Sequence, residues 1–135
     1  MDAATRRQVR QRAGGRCEYC RLPQDYSALR FHIDHVVATQ HGDADSPQNL
    51  ALACPECNRR KGTNLSGIDP DTGIVTPLFH PRNEEWPRHF AMEGARIAGL
   101  TAAGRTTAWL LEMNTGDRLR LREMLVRSGL WPSLR

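Results

Sequence analysis

Asp34-His35 is the residue pair of this chain best suited to phosphodiester chemistry. Hydrolysing a phosphodiester requires charge neutralisation on the phosphate and leaving oxygen, and a base that activates water. A carboxylate-held divalent cation and a neutral imidazole supply these. Asp34 is the natural cation ligand and His35 the natural base. A hard cation such as Mg²⁺ prefers oxygen donors and keeps several waters, so Asp34 and the amide oxygen of Asn58 suffice as protein ligands. Mn²⁺ fits the same set, and the nearby histidine admits Ni²⁺ or Co²⁺. Taken singly these residues say little, because an Asp-His pair is commonly a solvated strand edge and an asparagine can cap a turn.

Their setting changes the odds. His32-Ile33-Asp34-His35 sits between Cys17-x-x-Cys20 and Cys54-x-x-Cys57, and Asn58-Arg59-Arg60-Lys61-Gly62 follows at once. Each Cys-x-x-Cys can present two thiolates to one tetrahedral zinc, and no cysteine is left over. Residues 21–53 exceed the roughly 15–20 residues between knuckles of a simple zinc ribbon, so independent structure fits inside the closed loop. Two disulfides are the competing reading. The polar, Arg-rich stretch 1–16 carries no hydrophobic signal segment, which favours a reducing, cytoplasmic setting and hence zinc.

The elements that must position these groups can be read from pattern. Residues 5–13 read as a short helix closed by Gly14-Gly15. Residues 29–37 read as a strand, on which His32 and Asp34 share one face while His35 lies on the other. Residues 39–48 are loop by composition, with Gly42, two aspartates, Ser46 and Pro47. Residues 49–53 read as a short turn or helix into the second knuckle. Residues 55–61 read as a helix stopped by Gly62, with Arg59, Arg60 and Lys61 partly on its exposed side, available to nucleic acid.

The second half is plainer. Residues 69–73 are a turn signal, 74–79 a strand, and 90–100 a hairpin turning at Glu93-Gly94. Two helices close the chain, the first capped by Thr101 or Thr106 and running to about Met113. The second is capped by Thr115, carries a Leu121, Met124 and Leu125 stripe, and ends at Gly129. Trp86, Trp109 and Trp131 read as packing residues.

The 135 residues suit a single domain, and a hydrophobic fraction of 39% leaves a modest core that a metal staple would help. A net charge of +4, with arginines spread from Arg6 to Arg135, favours an anionic partner. No apolar run approaches the roughly 20 residues needed to cross a bilayer.

From Cys17 to Gly62 the chain resembles the HNH endonuclease family. That family's pattern combines Cys-x-x-Cys, Asp-His plus a hydrophobic residue, Asn-Leu, and Cys-x-x-Cys-Asn leading into basic residues and glycine. Here these are Asp34-His35-Val36, Asn49-Leu50, Cys54-Pro55-Glu56-Cys57-Asn58 and Lys61-Gly62. The resemblance implies a ββα-metal core over about residues 14–66; with the small hairpin and two helices read from pattern over about residues 67–135, the expected fold is α+β in a single domain. It further implies that His35 is the general base, that Asp34 and Asn58 hold the catalytic cation, and that Asn49 braces the loop orienting the base. His32 matches a more variable position where metal or phosphate is bound. The chain departs from many members in having Ala38 where a proline is common and a single Gly42, preceded by His41, where two glycines are. The segment 104–114, with Arg105, loosely resembles C-terminal extensions of small bacterial members.

The expected activity is metal-dependent nicking of DNA, with double-stranded DNA the substrate that the family resemblance implies. The alternatives are a zinc-stabilised nucleic-acid-binding module without turnover and a protein-interaction zinc domain. Sequence specificity and oligomeric state are not encoded in any residue singled out above.

Overall fold

The computed structural model describes residues 1–42 and 45–131; Asp43 and Ala44 of the expected loop, and Arg135, lie outside them. The chain divides into two compact units, one formed by Met1–Leu65 with His80–Asn83, the other by Ser66–Phe79 with the residues from Glu84 onward.

In the first unit, α1 (Ala3–Arg12) starts at Asp2, whose carboxylate accepts a hydrogen bond from Thr5 N at 2.8 Å. It ends at Gly14 and Gly15, both at positive φ, a backbone state that only glycine adopts without strain. Although α1 is polar and buries only Val9 within its length, two arginines tie it down. Arg10 donates to Phe31 O at 3.1 Å, and Arg12 donates to Pro47 O at 2.9 Å and Leu50 O at 2.7 Å. These bonds satisfy main-chain carbonyls at or beside the ends of the central strands.

Strand β1 (His32–His35) pairs antiparallel with β2 (Leu50–Ala53), His32 facing Ala53 and His35 facing Leu50. Two expectations need correction. The strand is four residues long where nine were expected: before it Phe31 N bonds the Gln24 side chain, and beyond it Val36 N still bonds Asn49 O while Val37 bonds the Asn49 side chain in place of a partner strand. Residues 50–53, read as a turn or helix, are a strand. All four are buried, so both faces of the run are covered, and burial overrides alanine's helical preference. Helix α2 (Pro55–Lys61) matches its expected span. The Cys54 sulfur caps it by accepting from Cys57 N, and Pro55 occupies its first turn.

In the second unit, β3 (Ser66–Ile68) and β4 (Val75–Pro77) form an antiparallel hairpin, and β3 was not anticipated. Helix α3 (Trp86–His89) precedes the expected hairpin of β5 (Phe90–Glu93) and β6 (Arg96–Gly99). Helix α4 (Ala102–Leu110) is capped by Thr101, whose hydroxyl accepts from Gly104 N at 3.0 Å, while Thr106 is buried inside the helix. It stops short of Met113. A Cβ at Gly104 would collide with the carbonyl oxygen of His89, so glycine is what lets α4 approach so closely.

Helix α5 (Gly116–Arg127) follows Thr115, and its Leu125 is buried, but Met124 is 50% exposed and does not belong to the packed stripe. Trp86 stacks on Phe90 with ring centroids 4.9 Å apart, as a core residue should. Trp109, expected to pack, is 68% exposed.

Candidate active site and metal centre

Four sulfurs meet where the first knuckle approaches β2 and α2. Cys17, Cys20, Cys54 and Cys57 are all buried, none is in a disulfide, and their sulfur atoms lie within 4.8 Å of one another. Cys20 Sγ and Cys54 Sγ are 3.7 Å apart. A tetrahedral ion with Zn–S bonds of about 2.3 Å would separate its sulfurs by about 3.8 Å, so the spacing fits zinc. In each knuckle a backbone N–H points back at the first sulfur, Cys20 N to Cys17 Sγ and Cys57 N to Cys54 Sγ, both at 3.4 Å. Such donors favour thiolate. Burial pushes the Cys17 and Cys57 thiols well above the usual range, so a cation is the natural means of holding them ionised. The four-cysteine cluster is compatible with a structural zinc site.

Asp34 lies within the β1–β2 hairpin and is only 6% exposed, whereas His32, two residues earlier on the same face, is open to solvent. Tyr19, from the first knuckle, donates to Asp34 Oδ2 at 2.9 Å, and Lys61 Nζ of α2 stands 3.1 Å from the same oxygen. Oδ1 meets no hydrogen-bond partner among the described residues. Burial raises the Asp34 carboxyl above its ordinary range despite the opposing pull of Lys61 and Tyr19. Burial, then the neighbouring Asp34 charge, pushes the Tyr19 phenol well up, which keeps it a donor.

Lys61 was expected partly on the exposed side of α2, and that is corrected here: it is 1% exposed and also donates to the main-chain oxygen of His35 at 3.2 Å. Burying its charge requires a carboxylate, and Asp34 supplies it. Asn58 lies three residues before Lys61, on the same side of α2. Since Lys61 reaches β1, that side of the helix faces the hairpin. Among the described residues the Asn58 side-chain amide has no hydrogen-bond partner. Arg59 and Arg60 both approach Glu56, at 2.7 Å and 3.7 Å, in exposed or half-exposed pairs worth little in water.

His35 ends β1, and its Nε2 is 2.6 Å from Asp45 Oδ1. That bond is the main reason the Asp45 carboxyl lies below its ordinary range. Asn49 braces the loop that separates the two strands. Its Oδ1 accepts from Val37 N at 2.8 Å, its Nδ2 donates to Val37 O at 2.9 Å, and its main-chain oxygen accepts from Val36 N at 2.8 Å.

Four residues at this centre were not singled out by their sequence. Tyr19 and Asp45 contact Asp34 and His35. Glu18, buried inside the first knuckle, accepts from Leu52 N at 2.8 Å and pairs with Arg82. Burial lowers the Arg82 guanidinium to about 10. Glu18 lies 64 residues before Arg82, and no local pattern reports such a pairing.

Residues 17–64 match the family model described as HNH endonuclease. Among curated proteins, the Septu protein PtuB of Bacillus thuringiensis is 26% identical over 116 residues, covering 84% of this chain and 42% of that protein. The chain therefore spans less than half the length of this relative. No solved structure matches. With the paired knuckles, the β1–β2–α2 order and the Asp-His, Asn-Leu and Cys-Asn motifs all in one stretch, residues 17–64 are an HNH endonuclease-family domain.

Proposed function

We propose that the protein is a metal-dependent endonuclease that nicks DNA, with double-stranded DNA as substrate. One observation carries the reading: Asp34 and His35 end a strand that Lys61 ties to α2, the helix that bears Asn58. A hard cation fits this donor set, because Asp34 Oδ1 and the Asn58 amide are oxygen donors without protein partners among the described residues. When bound, Mg²⁺ or Mn²⁺, or Ni²⁺ or Co²⁺ in their place, would neutralise charge on the scissile phosphate and the leaving oxygen.

The chain's own residues do the rest. Tyr19 and Lys61 hold Asp34 by Oδ2 and so present Oδ1. His35 takes the proton from the attacking water. Asn49 fixes the loop beyond His35 through Val36 and Val37, and His32, exposed two residues before Asp34, contacts phosphate. Arg59 and Arg60 contribute phosphate contacts from α2, and the four thiolates hold zinc that folds the unit. Among the described residues no helix is long and apolar enough to cross a membrane. A cytoplasmic site of action fits the unoxidised cysteines.

The test is conversion of supercoiled plasmid to open circle by zinc-loaded protein with added Mg²⁺ or Mn²⁺. Cation-dependent nicking that disappears in His35→Ala supports the reading. Tight DNA binding without cleavage under every cation would favour a zinc-stabilised binding module.

A further inference from the structure

His35 has two ring nitrogens, and only Nε2 meets a partner among the described residues. That partner is Asp45, ten residues further along, which belongs to none of the motifs. Asp45 lies in the loop whose two ends Asn49 ties together through Val37. The Asp45 side chain is 49% exposed, and its other contact is the Met1 amine at 3.2 Å from Oδ2. Packing does not account for the 2.6 Å approach to His35.

We propose that Asp45 is a positioning residue for His35, accepting the Nε2–H hydrogen bond and so fixing the neutral tautomer whose lone pair is on Nδ1. The inference rests on His35 being the base. A carboxylate on one imidazole nitrogen decides which tautomer is present and stabilises the imidazolium formed later. In hydrolysis Nδ1 takes a proton from water as the water oxygen bonds to phosphorus. The bond from phosphorus to the leaving sugar oxygen breaks, and that oxygen is protonated from solvent. The proton on Nδ1 then returns to solvent.

The experiment compares wild type, Asp45→Ala, Asp45→Asn and His35→Ala as zinc-loaded full-length proteins. It reads nicking kinetics, zinc content and the exchange-protected imidazole N–H proton by NMR without added divalent cation. Wild type should show a low-field ring proton that is missing in His35→Ala and in Asp45→Ala. Asp45→Ala should lower kcat about 10–100-fold, as loss of an imidazole-orienting partner does elsewhere, with KM and zinc unchanged. Asp45→Asn keeps an acceptor oxygen and should recover part of the rate.

A ring proton that survives in Asp45→Ala overturns the proposal, as does a wild-type rate in that variant. If Asp45→Ala is fully active while His35→Ala is inactive, only the positioning role fails. If His35→Ala cleaves like wild type, the base assignment itself fails.

Discussion

Lys61 Nζ stands 3.1 Å from Asp34 Oδ2, both side chains almost fully covered, so one ion pair joins α2 to the strand bearing the Asp-His motif. Removing the cation alone would strand a buried carboxylate. Lys61→Met should therefore destabilise the first unit by about 3–5 kcal/mol, the usual loss when a buried pair is broken from one side. Asp34→Asn in the same chain should recover much of that loss. Urea unfolding of the single and double variants measures both, and a Lys61→Met protein as stable as wild type would show that the pair does not contribute.

The thiolate cluster should respond differently. Cys54 caps α2 as well as sitting among the four sulfurs, so Cys54→Ser should release one equivalent of zinc and unfold the first unit, because metal binding and folding are linked in small zinc domains. Elemental analysis and circular dichroism on the purified variant read the two effects together. A serine variant that keeps its zinc and its fold would remove Cys54 from the site.

Exposure separates the two histidines. His35→Ala should lower nicking by at least about 10²-fold, the ordinary worth of a general base, with zinc content and DNA affinity nearly unchanged. His32 is open to solvent and, among the described residues, forms no hydrogen bond or ion pair with Asp34, so His32→Ala should act mainly on KM. A larger loss of kcat in His32→Ala than in His35→Ala would reverse the assignment.

Much of the fold was legible because its signals are local. Two Cys-x-x-Cys knuckles, a Gly-Gly helix end and the turn at Glu93-Gly94 each need only a few consecutive residues, and each has its counterpart in the structure. Residues 50–53 misled because a short apolar run has no periodicity, and only pairing with β1 makes it a strand. Lys61 looked like a surface cation because its counter-charge lies 27 residues earlier. Trp109 carries no mark in its own segment of the open cavity it lines, about 780 Å³ in volume, between β6 and α4. Tertiary partners of that kind are invisible to spacing.

Acid should weaken the second unit through Asp69. Arg105 grips this fully covered carboxylate with two nitrogens, Nε at 3.1 Å from Oδ1 and Nη2 at 2.8 Å from Oδ2, and holds its pKa down to about 2. An unfolded aspartate titrates near about 3.9, so between the two values the unfolded chain binds more protons. The stabilisation is complete above about pH 4 and is lost as the pH falls towards about 2. Asp69→Asn should be less stable at neutral pH, and its stability should vary less across that acid range. Tryptophan fluorescence during urea unfolding at stepped pH would show it, and parallel curves for the two proteins would contradict it.

The catalytic cation should be separable from the thiolate zinc. Asp34 and Asn58 offer oxygen where the cysteines offer sulfur, so dialysed protein that retains zinc should regain cleavage with Mg²⁺ or Mn²⁺, and poorly with further zinc. Alanine at position 34 would leave Tyr19 and Lys61 buried without even an acceptor oxygen and confuse binding with unfolding. Asp34→Asn keeps an oxygen for Tyr19 and Lys61 while removing the negative charge. It should require far more cation for the same rate, with zinc content intact. Asn58→Ala should raise the cation requirement more than it weakens DNA binding, since the proposal assigns the amide to the cation site and leaves phosphate to Arg59 and Arg60. Cleavage at full rate in chelator-treated protein that still carries one zinc would mean that Asp34 and Asn58 do not bind a catalytic ion. In that case the exposed His32 and the His35 imidazole would have to act without one.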